Sequence, residues 1–273
     1  MRKIVKDIIK RGISSAFSDS LGLTKVKTLS GPAKGTVFRL DLLKESSYWV
    51  GSYDKWILDR VVLKNIIKPG WVVWDCGAYV GYYTAIFRHL IGPNGFVYTF
   101  EASTTNYNRL KELPQLNNWS NVKIINEAVG PDHTTIKFVS NLGGASGPAD
   151  MSKEYDMNQK MEYEEVICRG VDELVLECEI KAPNFIKFDL ESAEVFALCN
   201  GNYVFSKVRP YILLELHGKD CHAAAASFLS KFNYKAKDVY YYNDRTNPGY
   251  LNAEQFLAET YTPHMLYCEP LNY

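Results

Sequence analysis

Asp75-Cys76-Gly77-Ala78-Tyr79-Val80-Gly81-Tyr82-Tyr83-Thr84 is the stretch on which the reading of the chain turns. The residues leading into it, Trp71-Val72-Val73-Trp74-Asp75-Cys76, form an apolar run of the length of a buried strand. Those that follow place Val80, Tyr83, Thr84, Phe87 and Leu90 at i, i+3, i+4 spacing, which predicts a helix stopped by Gly92-Pro93. The decapeptide therefore crosses a strand-to-helix turn. A ligand at the carboxyl end of a strand in an open α/β sheet must approach the main chain, and Gly77 and Gly81 leave room for it.

The same alternation continues outward. A second strand is expected over 95–100, ending on Glu101, then a helix over 106–113, a strand over 122–125 and an alternating strand over 135–139. Short apolar strands follow at 184–190 and 211–216, separated by a helix near 193–199. The tail reads as an amphipathic helix near 223–232, a Tyr-rich strand near 239–242 and a last strand near 265–268. Residues 143–160 carry almost nothing that could fill a core, so they read as a long exposed loop, either a lid over the site or a plain surface insertion. The fold class expected is Rossmann-like α/β, a mostly parallel central sheet with helices on both faces. Residues 69–273 form that domain, and 1–68 are an N-terminal extension of amphipathic helix, strand and helix packing on the core.

Composition narrows the function. Thirty-one basic residues cancel thirty-one acidic ones, so no overall field draws in nucleic acid, and no nucleic-acid partner is expected. The six cysteines have no C-x-x-C spacing and read as free thiols of a reducing compartment. No run approaches the roughly 18–20 apolar residues of a spanning helix, and the start lacks the apolar core of a signal peptide; a cytoplasmic protein is expected. Residues 1–16 set Ile4, Ile8 and Ile9 among Arg2, Lys3, Lys6, Lys10 and Arg11. Such a helix suits docking on its own domain, on a second copy in a homodimer, or on an anionic membrane surface.

The turn also speaks to the cofactor. A dinucleotide fingerprint beginning at Gly77 would want glycines at 79 and 82, where Tyr79 and Tyr82 stand, which argues against a nicotinamide-dependent oxidoreductase. Asp75 would repel a pyrophosphate but suits S-adenosylmethionine, which has no phosphate and carries an ammonium and a sulfonium. Glu101 stands where nucleotide folds place an acid on ribose hydroxyls; it could equally stabilise the helix N-terminus that follows. A catalytically silent cofactor-binding or scaffolding protein stays open as a third reading.

The strings DCGAYVGYYT, VYTFEASTTNYNRLK, NEAVG, FIKFDLESAEVFALCNG and ILLELHG, in that order and spacing, resemble the FkbM family of S-adenosylmethionine-dependent methyltransferases. Gly51-Ser52-Tyr53-Asp54 and Lys68-Pro69-Gly70 are similar too, so the likeness runs from about Trp49 to Gly218. It implies a class I methyltransferase fold with S-adenosylmethionine held by Asp75, Gly77, Ala78, Tyr79, Gly81, Glu101, Ala102, Glu127, Ala128 and Asp189. Within that set, Asp75, Gly77 and Gly81 stand near the methionine end, Glu101 on the ribose, and Glu127-Ala128 beside the adenine. The chain departs from the family pattern at Tyr79, usually Asn, at Ala102, usually Pro, and at Ser192, usually Gly; the last alters the turn after the strand.

On the acceptor side, strand alternation sends Lys187, Asp189 and Glu191 to one face and Phe188 and Leu190 to the other. Charged groups at the carboxyl end of a central strand sit where α/β enzymes keep ligands, although a Lys187–Asp189 pair could simply fix the strand. His217, at the end of the neighbouring strand, is the histidine expected to act as general base, its neutral imidazole taking a hydroxyl proton. The alternative is a Mg²⁺ held by Asp189 and Glu215. The metal-free arrangement is preferred, because Lys187 can neutralise Asp189 without an ion. The acceptor expected is a small molecule or saccharide, methylated on a hydroxyl.

Overall fold

The computed structural model describes residues 18–55, 63–149, 160–178, 180–239 and 265–271. The expected N-terminal helix, much of the extension's second helix, the end of the 143–160 loop and residues 240–242 of the Tyr-rich strand lie outside these.

Strands are β1 (Thr24–Lys27), β2 (Val37–Leu40), β3 (Val72–Cys76), β4 (Phe96–Phe100), β5 (Val122–Ile125), β6 (Ala128–Val129), β7 (Thr134–Val139), β8 (Gly147–Pro148), β9 (Tyr163–Arg169), β10 (Phe185–Phe188), β11 (Tyr211–Glu215), β12 (Tyr234–Asp238) and β13 (Met265–Pro270). Helices are α1 (Ser46–Val50), α2 (Leu63–Ile66), α3 (Tyr82–Ile91), α4 (Thr104–Leu110), α5 (Leu113–Leu116), α6 (Val171–Leu176), α7 (Glu194–Cys199) and α8 (Lys219–Phe232). The central sheet has the order β12-β13-β11-β10-β3-β4-β5. β13 alone runs opposite to the other six strands. This is the Rossmann-like α/β fold expected.

The sheet is covered on both faces because its strands are apolar at successive positions and so feed two cores. Trp74, Cys76, Phe100, Ile186, Phe188, Ile212 and Leu214 pack on one side with α7 and α8. Val73, Val97, Phe185 and Leu213 pack on the other with Tyr83 and Phe87 of α3. Lys187 and Asp75 interrupt the second series at facing register positions of β10 and β3. From β3 the chain winds to β4 and β5 on one side, and from β10 to β11 on the other. The crevice between β3 and β10 is therefore the switch point at which α/β folds take ligands.

Several sequence expectations change. The strand over 135–139 does not join the central sheet; as β7 it lies in a separate sheet, β6-β9-β7-β8, whose longest member, β9, the alternation reading passed over. The Tyr-rich strand expected near 239–242 gives way to β12 over Tyr234–Asp238, whose buried positions Tyr234, Ala236 and Asp238 alternate as one sheet face requires. The helix expected over 106–113 ends at Leu110, and Pro114 starts a new turn in α5. The first part of the 143–160 segment is not an exposed loop: Ser146, Gly147 and Pro148 are buried through the pairing of β8 with β7. Among the described residues, no helix is long and apolar enough to cross a membrane.

Candidate functional site

Gly77 opens the turn after β3 with φ 81°, and a β-carbon there would lie 1.8 Å from the Asp189 carbonyl oxygen. Only glycine lets the ends of β3 and β10 come this close. Gly81 has the same φ of 81°, but the space beside it holds Leu110 and Leu113, each 2.6 Å from an added β-carbon. The two glycines thus serve chain-to-chain packing: Gly77 lines the cavity that results, and Gly81 does not.

That cavity crosses the carboxyl edge of the sheet. On the β4–β5 side its wall includes Ala78, Tyr79, Glu101, Ala102, Glu127 and Ala128; on the β10–β11 side it includes Lys187, Asp189, Glu191 and Glu215. Glu101 is 5% exposed. Its carboxylate accepts from the amide of Tyr79 at 2.7 Å, from the amide of Ser103 at 3.0 Å and from Asn106 Nδ2 at 3.3 Å. Burial nonetheless outweighs these donors and pushes its pKa up to about 7. Glu127 on the same wall lies 3.5 Å from Arg169 Nε.

Asp75, expected beside the cofactor, stands one layer back. It is fully buried, its Oδ2 accepts from Thr84 Oγ1 at 2.5 Å, and its Oδ1 has no hydrogen-bond partner. Lys187 Nζ stands between, 3.9 Å from Asp75 Oδ1, 2.9 Å from Asp189 Oδ2 and 3.3 Å from the Gly77 carbonyl. The ammonium also lies 5.1 Å from the Tyr83 ring centroid. Desolvation opposes its charge, but Asp189 and Asp75 overcome that and raise its pKa above the ordinary lysine value.

Past Asp189 the chain turns sharply through Glu191 and Ser192, at φ 55° and 88°. Ser192 takes the left-handed shape that glycine would adopt, and its hydroxyl donates to the His217 carbonyl at 3.2 Å. The turn brings Glu191 to the imidazole. His217 Nδ1 donates to Glu194 Oε1 at 2.9 Å, and Nε2 lies 3.9 Å from Asp189, 3.8 Å from Glu191 and 3.8 Å from Glu215. Burial lowers its basicity, yet the Glu194 bond and the other carboxylates prevail and carry the pKa up to about 9. The neutral imidazole expected as general base is thus an imidazolium at neutral pH, with no lone pair to offer. Glu215, on the cavity wall, moves in the same direction: desolvation and the Asp189 charge raise its pKa to about 8. Ligand atoms of Asp189, Glu215 and His217 lie within 4.8 Å of one another, close enough for one metal ion.

Sequence reasoning missed the contribution of the extension. Tyr48 and Tyr53 line the cavity, their ring centroids 4.2 Å apart, and Tyr53 packs edge-on to Tyr82 at 5.6 Å. Asp54, left-handed at φ 47°, accepts from the Tyr83 hydroxyl at 3.0 Å, and burial raises its pKa. Glu45 and Arg109 were also missed; they meet over Tyr79. Gly51-Ser52-Tyr53-Asp54 was the one signal of this in the sequence.

A family model described as the methyltransferase FkbM domain matches residues 75–236. No curated protein matches the chain. Among solved structures, similarity is found to methyltransferase FkbM from Methylobacillus flagellatus KT, at 15% identity and TM-score 0.47 over 78% of this chain and 52% of that one. The chain thus spans about half the length of that protein. Aeropyrum pernix fibrillarin, solved with natively bound S-adenosyl-L-methionine, is similar at 12% identity and TM-score 0.45, over 78% of this chain and 73% of that one. M. jannaschii TYW2, solved in complex with AdoMet, is similar at 15% identity and TM-score 0.45, over 91% and 87%.

Proposed function

The chain belongs to the FkbM methyltransferase family, and from that premise we propose that it moves the methyl group of S-adenosylmethionine to a hydroxyl oxygen of a sugar, a polysaccharide precursor or a secondary metabolite. The observation that carries this reading is one cavity with Glu101 on one side and the Lys187–Asp189–Glu215 group on the other. A cofactor with a ribose and a reactive cation, and an acceptor with an ionisable hydroxyl, need those two chemistries within one enclosure.

The residues present fit the cofactor. Glu101 offers carboxylate oxygens to ribose hydroxyls, and the Tyr79 and Ser103 amides hold it in place. Ala78, Tyr79, Ala102, Glu127 and Ala128 would flank the nucleoside, and Asp189 with the Gly77 main chain would meet the methionine portion. Gly143 and Gly144 lie against Tyr79 and keep that wall thin. When bound, S-adenosylmethionine supplies an electrophilic methyl on a positively charged sulfur.

The chain's own contribution is to place the acceptor oxygen and remove its proton. Tyr48, Tyr53, Tyr82 and Tyr83 give the cavity aromatic walls with carboxylates at one end, a combination suited to the flat, hydroxyl-bearing faces of a saccharide. Asp189, fixed by Lys187, orients the hydroxyl, and Glu215 takes its proton; a carboxylate raised to about 8 is more basic than an ordinary one once ionised, so the step gains as pH rises toward that value. Tight placement supplies several kcal/mol, and the base adds about 10²–10⁴-fold. Transfer of a labelled methyl group to a panel of sugars, oligosaccharides and polyketide alcohols tests the assignment, with an O-methyl ether as the expected product. Methylation at nitrogen or carbon, or no turnover in a protein that binds the cofactor, would overturn it.

Two results are expected at the individual groups. Glu101→Gln weakens S-adenosylmethionine binding in calorimetry by about 1–3 kcal/mol, the range for losing hydrogen bonds to a charged group. Unchanged affinity in the folded variant removes Glu101 from the ribose. Turnover is expected to survive dialysis against a chelator, since Lys187 and His217 already offset charge in the carboxylate group. A loss restored by Mg²⁺ would instead put an ion on Asp189, Glu215 and His217.

A further inference from the structure

Tyr79 holds a left-handed backbone conformation, φ 52°, which a β-carbon makes costly and which Asn tolerates better than Tyr. Its side chain is correspondingly well held. The hydroxyl donates to the carboxylate of Glu45, which is 5% exposed. The Arg109 guanidinium lies 4.6 Å from the ring centroid, and its Nη1 is 2.9 Å from Glu45 Oε1. Glu45 Oε2 also accepts from the amide of Asp41 at 2.9 Å. The ring borders Gly143 and Gly144, where added β-carbons would lie 3.4 and 3.7 Å from its atoms. These contacts could have anchored the extension anywhere along α4. They meet instead on the residue whose amide donates to Glu101 Oε2 at 2.7 Å.

We propose that Glu45, Tyr79 and Arg109 are positioning residues that make residues 41–45 of the extension a working part of the cofactor site, by pinning the Tyr79 amide on the Glu101 carboxylate. The inference rests on the reading of Glu101 as the ribose partner. It assigns cofactor affinity to a segment outside the stretch that the family model matches, 75–236. It also explains how a tyrosine replaces the asparagine expected at position 79: contacts to Glu45 and Arg109 hold a conformation that Asn would adopt unaided.

The test is calorimetric titration of S-adenosylhomocysteine into the full chain, Tyr79→Phe, Glu45→Gln and the double variant, each from pH 6 to 9. Each single substitution is expected to raise Kd about tenfold, and the double to do little more, because both break one link. The groups facing Glu101 are the Tyr79 and Ser103 amides, the Asn106 amide group and the Arg109 charge. A displaced Tyr79 amide stabilises the ionised form less, so the pH below which affinity falls should move upward in the variants. Arg109→Gln, which takes the guanidinium away from both the Tyr79 ring and Glu45, should show the same loss if Tyr79→Phe folds poorly. Singles within about twofold of the parent, or additive losses with an unmoved pH profile, would overturn the inference. A parent protein that fails to bind would instead overturn the cofactor reading, and this inference with it.

Discussion

Lys187→Met is expected to cost about 3–5 kcal/mol of folding stability in denaturant titrations, the range for breaking a buried ion pair from one side. Lys187 is 2% exposed and Asp75 fully buried, so the substitution leaves a carboxylate in the sheet with Thr84 as its hydrogen-bond donor and no cation beside it. Burial already raises the Asp75 pKa while Lys187 lowers it; without the ammonium the acid rises further and takes up a proton on folding. Stability of the variant should therefore decline with rising pH, as ionisation of Asp75 in the unfolded chain competes with folding. Adding Asp75→Asn should recover much of the loss, because removing both charges is far cheaper than removing one. A single variant within about 1 kcal/mol of the parent would mean that Lys187 is not the cation that balances this core.

That pair marks how far the sequence could be read. The central sheet was legible because buried parallel strands are continuous apolar runs, and because Gly77, Glu101 and Asp189 each stand just past a run's end. Lys187 and Asp189 were legible as charges at a strand end, but Glu191 lies past the end of β10 and is placed by a left-handed turn rather than by alternation, and the pairing of Lys187 with Asp75 depends on register between strands far apart in sequence. The role of Asp75 illustrates this: at a strand end it looks like a cofactor ligand, and only the register shows it turned toward Lys187. The separate sheet containing β9 was hidden because Tyr163–Arg169 is charged and half exposed, so its period carries little apolar contrast. Glu45 and Arg109 were invisible for another reason. Nothing in a sequence shows that the loop after one strand and the helix after another meet over one tyrosine ring.

Glu215→Gln is expected to lower turnover by about 10²–10⁴-fold with cofactor affinity nearly unchanged, the effect of removing a positioned base. The basis is the charge around His217. Four carboxylates, those of Glu194, Glu191, Asp189 and Glu215, lie within 3.9 Å of its ring nitrogens, and the first three raise its pKa to about 9. The proton must then go to a carboxylate, and Glu215, raised to about 8, is the one on the cavity wall whose basicity suits the task. The rate should rise with pH through the titration of Glu215, because only its ionised form accepts a proton. The imidazolium acts on that titration: its charge lowers the Glu215 pKa, so His217→Gln should shift the rising limb to higher pH while leaving the plateau rate largely intact. Turnover of the two variants, measured against pH with one acceptor, separates the roles. If His217→Gln abolishes turnover at every pH while Glu215→Gln retains it, the imidazole is the base after all, and the carboxylates serve to orient it.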